Sequence, residues 1–300
     1  HTVAVMSSAL RHIVMVIVLR VSSTSRQASV RYSMLFLTIF GGASGHVAFP
    51  SQGCGRAPSG YTPGTKQKRT ITTEGMTRDF YVYVPKSYST SSANSAMFYF
   101  HGQFGSPSQA DGLISSAESN GFVLVEMQGV MDKGSGGASC GVGWNTGSSV
   151  NMTLSKETCT SKANAWSCCY ASCEAQGKCT GDKANADCLW STCLNDDVFA
   201  ENALASLGDD LCLDLDAVFA SGMSSGGILA HFLAAQNPNQ WKGVMPVFGS
   251  PLRGYIDVSF ALKGTSFLQL HGRSDNVIPY EVRRPLILQI CSLVPTRTDT

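Results

Sequence analysis

Residues 218–232 read VFASGMSSGGILAHF: an apolar run, a tight Gly/Ser turn and a second apolar run. At its centre, Gly222-Met223-Ser224-Ser225-Gly226 sets a serine between glycines two residues before and two after. A serine lifted on a sharp strand-to-helix turn can attack a carbonyl carbon. The flanking positions must then be small, or their side chains collide with the strand and the helix. The helix that follows presents its N-terminal amides and dipole to the developing anion. The spacing alone decides little, because Gly137-Ala138-Ser139-Cys140-Gly141 has it too. That copy lies in a glycine loop with no strand before it and no helix after it, so Ser224 is the candidate nucleophile.

A serine nucleophile needs donors for the oxyanion, an acid and a base. One donor is the backbone N–H of Ser225, directly after the nucleophile. The other is expected in FYFHGQFGS (98–106), where Gly102 permits close approach and the N–H of Gln103 is the candidate. FLQLHGRSDNVIPY (267–280) offers a strand, a turn and Asp275 in the following loop as the acid. His101, Gly102, Met223 and Trp144 are the expected substrate-side residues. The base is harder to find. The six histidines are His1, His12, His46, His101, His231 and His271, and none follows Asp275. His101 is expected to order its loop, His271 to be structural, and His231, seven residues along the helix from Ser224, to pack in the core.

The elements that must carry these residues alternate. RDFYVYVP (78–85), AMFYFHG (96–102), FVLVEMQ (122–128), DAVFASG (216–222), WKGVMPVFGS (241–250) and TSFLQLHG (265–272) read as strands. PSQADGLISSAESNG (107–121), DDVFAENALASLGDD (196–210) and GGILAHFLAAQNP (226–238) read as helices. Nearly all-apolar strands between helices predict a mostly parallel sheet with helices on both faces. Residues 50–67 are Gly/Pro-rich and read as an extended arm.

Composition bounds the rest. With 43% hydrophobic residues in 300, the chain can bury one sizeable core, and a net charge of +1 gives no argument for nucleic acid. The charge is uneven: residues 1–73 carry +8 with no acidic residue, and the remainder carries −7. RYSMLFLTIFGGASG (31–45) has the layout of a secretory signal peptide, so residues 1–45 are read as a leader and 46–300 as the folded domain. The earlier run IVMVIVL (13–19) is too short to span a bilayer, and no stable membrane span is expected. Eight of the 11 cysteines fall between Cys140 and Cys193, without a C-x-x-C pair or a histidine. That argues against a metal and for a disulfide-stapled insertion over 134–195, in keeping with secretion. The pairing cannot be read from the sequence. Asn151-Met152-Thr153 adds a glycosylation sequon.

With these segments assembled, the chain resembles the secreted esterase family that includes polyhydroxybutyrate depolymerases, feruloyl esterases and acetylxylan esterases. The stretches that carry the resemblance are CGRAPSGY, RDFYVYVPKSY, FYFHGQFGS, GFVLVEMQG, GVGWN, NDDVFAENALASL, DLDAVFASGMSSGGILAHFLAAQNP and LQLHGRSDNVIPY. It implies a secreted α/β-hydrolase that cleaves carboxylic esters without a cofactor, with Ser224 as nucleophile and Asp275 as acid. The expected substrates are feruloyl or acetyl esters of plant polysaccharide, or polyester. The chain departs from the pattern in its larger cysteine-rich insertion and in lacking the histidine that the family places downstream of the acid. Residues near 282–300 are therefore read as the truncated or misread end of a longer gene, with the base beyond residue 300. Two rival readings remain: a catalytically silent secreted binding protein on the same fold, and a cysteine-rich interaction module.

Overall fold

The computed structural model describes residues 14–20, 31–37, 47–132, 141–146, 170–176, 191–249, 265–272, 275 and 278. Strands β1 (Val14–Arg20) and β2 (Arg31–Leu37) pair antiparallel within the segment read as leader. The remaining elements are β3 (Thr65–Thr73), β4 (Met76–Val84), β5 (Asn94–Phe100), a 3-10 turn (Pro107–Leu113) leading into α1 (Ile114–Asn120), β6 (Val123–Met127), β7 (Val130–Met131), β8 (Val142–Gly143), α2 (Ala171–Ala175), α3 (Asp196–Asp210), β9 (Leu213–Met223), α4 (Ser225–Gln236), β10 (Gly243–Val247) and β11 (Ser266–Phe267).

Seven of these strands form one sheet in the order β11-β10-β9-β5-β6-β4-β3. The five from β11 to β6 are mutually parallel, and β4 and β3 join antiparallel at one end. Alternation in β5 divides the core. Ala96, Phe98 and Phe100 face α3 and α4 with Phe199, Ala203, Ile228 and Phe232, while Met97 and Tyr99 face the 3-10 turn and α1 with Ala110, Leu113 and Ala117. The expected parallel sheet, covered on both faces, is present. With a helix leaving β9 at Ser224, this strand order is that of the α/β-hydrolase fold.

Three differences from the sequence reading have local causes. Residues 107–121 split into a 3-10 turn and a shorter α-helix, which stops at Gly121 in the left-handed conformation (φ 70°). Strand β3 begins inside the segment read as an arm. Its sequence TKQKRTITT is polar because it is the edge strand: Thr65, Lys68, Thr70 and Thr72 are exposed, while Lys66 pairs with Asp111 and Glu126 and Arg69 lies over the Tyr61 ring. Only Ser266 and Phe267 of 265–272 are strand. The chain still runs beside β10, with Leu268 N–H donating to Val244 O at 3.0 Å and Leu270 N–H to Pro246 O at 3.0 Å.

Two disulfides occur among the described residues, Cys54–Cys212 and Cys173–Cys193. The first fastens the N-terminal arm to the start of β9 across 158 residues. The second fastens α2 to the residues just before α3. Most of the expected insertion, including the sequon and Cys140, lies outside the described residues, as does Cys291. Among the described residues no helix is long and apolar enough to cross a membrane.

Candidate active site

Ser224 sits between the end of β9 and α4 with φ 56° and ψ −119°, a conformation that strains any residue with a Cβ. It is clamped from both sides: its N–H donates to Val247 O at 2.8 Å, and its carbonyl accepts from Ile228 N–H at 3.0 Å. The flanking glycines are required by contact. A Cβ on Gly226 would lie 2.1 Å from Phe100 O, and one on Gly222 would lie 2.4 Å from Gly226 O. Gly227 is nearly as tight, its Cβ position being 3.0 Å from both Gly222 O and Val247 O. The turn is so closed because β9, β5 and the first turn of α4 pack backbone to backbone. Ser225 is fully buried at the first position of α4, where helix amides lack intrahelical acceptors.

The loop after β5 passes directly beside this turn. A Cβ on Gly102 would stand 3.4 Å from Met223 O and 3.5 Å from Ser224 Cβ, so Gly102, Met223 and Ser224 lie together. Contacts from distant segments hold the loop. Gly129 N–H donates to His101 Nε2 at 3.0 Å, which leaves the ring proton on Nδ1 to donate to Gly102 O at 2.8 Å. Trp144 Nε1–H donates to His101 O at 2.7 Å. Gln109 Oε1 accepts the Gly102 N–H at 2.9 Å, which commits that amide. The Gln103 side chain donates through Nε2 to Tyr170 Oη. Burial pushes the Tyr170 phenol up to about 12, so at neutral pH it is a fixed neutral hydroxyl. Burial also lowers the His101 imidazole from its ordinary value and keeps the ring neutral.

His101 and Trp144 were expected on the substrate side. The structure puts both at 0% exposure, ring against ring at 4.8 Å, as the floor of the loop. They support the cluster from below and do not face solvent.

Behind that floor lies a buried ion pair that the sequence did not reveal. Arg78 donates to Asp196 Oδ1 at 2.6 Å, and the other carboxylate oxygen accepts Asn145 N–H at 2.5 Å. Asn145 Nδ2 in turn donates to Leu194 O at 2.5 Å. Asp196 is the first residue of α3, where the helix dipole favours its charge. Residues 144–145 are thereby fixed to the helix start, and Trp144 with them. Neither Tyr170 nor this pair had a signal in the sequence, because each acts across a long separation, and Gln109, seven residues from Gly102, carried none beyond its position in a quoted stretch.

Asp275 lies in the loop that follows β11. Its Oδ1 accepts Ile278 N–H at 3.0 Å, and its Oδ2 is 3.5 Å from His271 Nε2. The His271 side chain is fully buried, with Nε2–H donating to Ile278 O at 2.6 Å and Nδ1 accepting from Gln269 Nε2 at 3.2 Å. His231 is buried in α4, donates to Gly249 O at 3.2 Å, and is pushed down to about 3 by burial. His231 bonds a backbone carbonyl within the core, and His271 bonds the loop that carries Asp275. Among the described residues no histidine is hydrogen-bonded to Ser224.

No protein-family model matches the chain. It is similar to feruloyl esterase D of Neurospora crassa, with 31% identity over 98 residues, 32% of this chain and 33% of that protein. It is also similar to probable feruloyl esterase C of Aspergillus flavus, 29% identical over 93 residues, 31% of this chain and 33% of that protein. The matched segment thus spans about a third of the length of these curated relatives. Among solved structures, an acetyl xylan esterase from Aspergillus awamori is 15% identical over 72% of this chain and 75% of that one, with a TM-score of 0.46.

Proposed function

We propose that this chain carries the nucleophile, acid and oxyanion elements of a secreted serine esterase acting on carboxylic esters. The observation that carries the reading is the closed turn at Ser224. A strained serine is held there by glycines whose Cβ positions are filled by backbone, with a second glycine-containing loop so near that a Cβ on Gly102 would stand 3.5 Å from Ser224 Cβ. Strain of this kind costs of order 1–3 kcal/mol and persists where the surrounding structure enforces it.

In this reading Ser224 Oγ attacks the ester carbonyl. Its proton passes to a histidine, and the N–H groups of Ser225 and Gln103 receive the oxyanion. The collapsing intermediate expels the alcohol as the histidine returns the proton, and water then releases the acid by the same steps in reverse order. Asp275 orients the base. Neither His231 nor His271 is placed for that role, since the Nε2 of each bonds a backbone carbonyl. The similarity to feruloyl esterases favours hydroxycinnamoyl esters of plant polysaccharide over acetyl esters or polyesters. The disulfides favour an oxidising, extracellular setting.

Hydrolysis of methyl ferulate by the full natural protein tests the proposal. Turnover is expected, with a loss of about 10⁶-fold in kcat for Ser224→Ala. Absence of turnover on methyl ferulate and on short aryl esters would reject the esterase reading in favour of a silent binding protein.

A further inference from the structure

Among the described residues five large apolar side chains are exposed: Val47, Phe49, Met76, Phe104 and Met131. Two of them lie on the loop after β5 and on the ribbon bonded to it. Phe104 directly follows Gln103, and its N–H donates to Val142 O at 2.9 Å. Val142 in β8 is the cross-strand partner of Met131 in β7. Phe104 and Met131 are each 52% exposed, so the loop and the ribbon bonded to it both present apolar surface.

Phe104 is also held in an unfavourable conformation. Its φ is 60°, in the left-handed region that bulky residues avoid and that glycine or asparagine adopts readily. A loop that needed only this turn would carry one of those. Opposite it, Gly141 also has φ 60°, and a Cβ there would stand 2.0 Å from Phe104 Cδ1. Two special backbone positions thus serve to hold one exposed ring, two residues along the chain from Gly102, whose Cβ position is 3.5 Å from Ser224 Cβ.

We infer that Phe104 is a specificity residue, an aromatic platform for a planar ring in the ester, with Met131 extending its apolar edge. This rests on the esterase reading of Ser224. Offset or edge-to-face packing on such a ring favours an aromatic group over an aliphatic one of similar size by about three- to tenfold.

Four esters distinguish the side on which the ring lies. Methyl ferulate and methyl butyrate differ in the acyl group, and phenyl acetate and ethyl acetate in the alcohol. The informative variant is Phe104→Asn, because asparagine tolerates φ 60° and keeps the loop folded. In the full natural protein, Phe104→Asn is expected to lower kcat/KM about three- to tenfold more for the aromatic member of one pair than for its aliphatic partner. Phe104→Tyr is expected to keep the wild-type preference. The pair affected identifies acyl or alcohol. Equal falls on all four esters would overturn the inference and leave Phe104 a loop-packing residue. Failure of the wild-type protein on all four would instead overturn the esterase reading and this inference with it.

Discussion

The turn at Ser224 and the loop after β5 lie side by side, yet they are built in opposite ways. The turn is closed by backbone against backbone, with Gly222, Gly226 and Gly227 filling spaces that admit no Cβ. The loop is held by side chains from far along the chain: Trp144, Tyr170, the Gly129 amide on His101, and behind them the Arg78–Asp196 pair. A local device leaves a local pattern in the sequence, whereas a device assembled from distant side chains leaves none. The two should also fail differently, the turn by steric exclusion and the loop by loss of individual contacts.

The largest effect is expected at the turn. Gly226→Ala drives a methyl to within 2.1 Å of Phe100 O, and backbone on both sides prevents relief. It should cost about 4 kcal/mol or more, read as loss of soluble protein or a collapsed urea midpoint. An unchanged midpoint would break the steric half of the comparison.

Asp196→Ala attacks the loop from behind. It strands the Arg78 guanidinium, whose side chain is 3% exposed, and is expected to cost about 3–5 kcal/mol in denaturant unfolding. A loss below about 1 kcal/mol would show that Trp144 is held by packing alone.

Acid should loosen both regions through buried neutral histidines. His231, pushed down to about 3, and His101, lowered by burial, bind protons more readily once unfolded. Their contribution to stability is full above about pH 6.5 and falls with decreasing pH toward the folded values, by up to about 1.4 kcal/mol per pH unit for each ring. Unfolding midpoints at pH 7.5 and 5.5 measure this, and His231→Phe should shrink the difference. A midpoint independent of pH over that range would contradict the burial of both rings.

The smallest effect separates holding from catalysis. Tyr170→Phe removes the acceptor for Gln103 Nε2 and should cost about 1 kcal/mol in stability. Because Gln103 carries the proposed donor, kcat for a good ester should fall while KM changes little. Releasing α2 with Cys173→Ser and Cys193→Ser should give the same split. Equal changes in kcat and KM, or none, would separate Tyr170 from the oxyanion site.

Legibility in the sequence followed this division. The parallel strands, α3 and α4 could be placed because apolar runs and caps mark them locally, and the glycines around Ser224 could be assigned their steric reason. Strand β3 was missed since an edge strand has a polar alternation that resembles a loop. His101 and Trp144 were assigned to substrate because motif position says nothing of burial. Tyr170 could not be connected to the loop, nor Asp196 to Arg78, for the partners lie 67 and 118 residues apart. The strained backbone of Phe104 is invisible to any pattern that expects glycine at a positive φ.

The central claim is that Ser224 is an activated nucleophile, and covalent labelling tests it most directly. Treating the full natural protein with a fluorophosphonate and mapping the adduct by peptide mass spectrometry should give one phosphonylated residue, Ser224, and none in Ser224→Ala. Labelling at another residue, or none at all in the folded wild-type protein, would contradict the account.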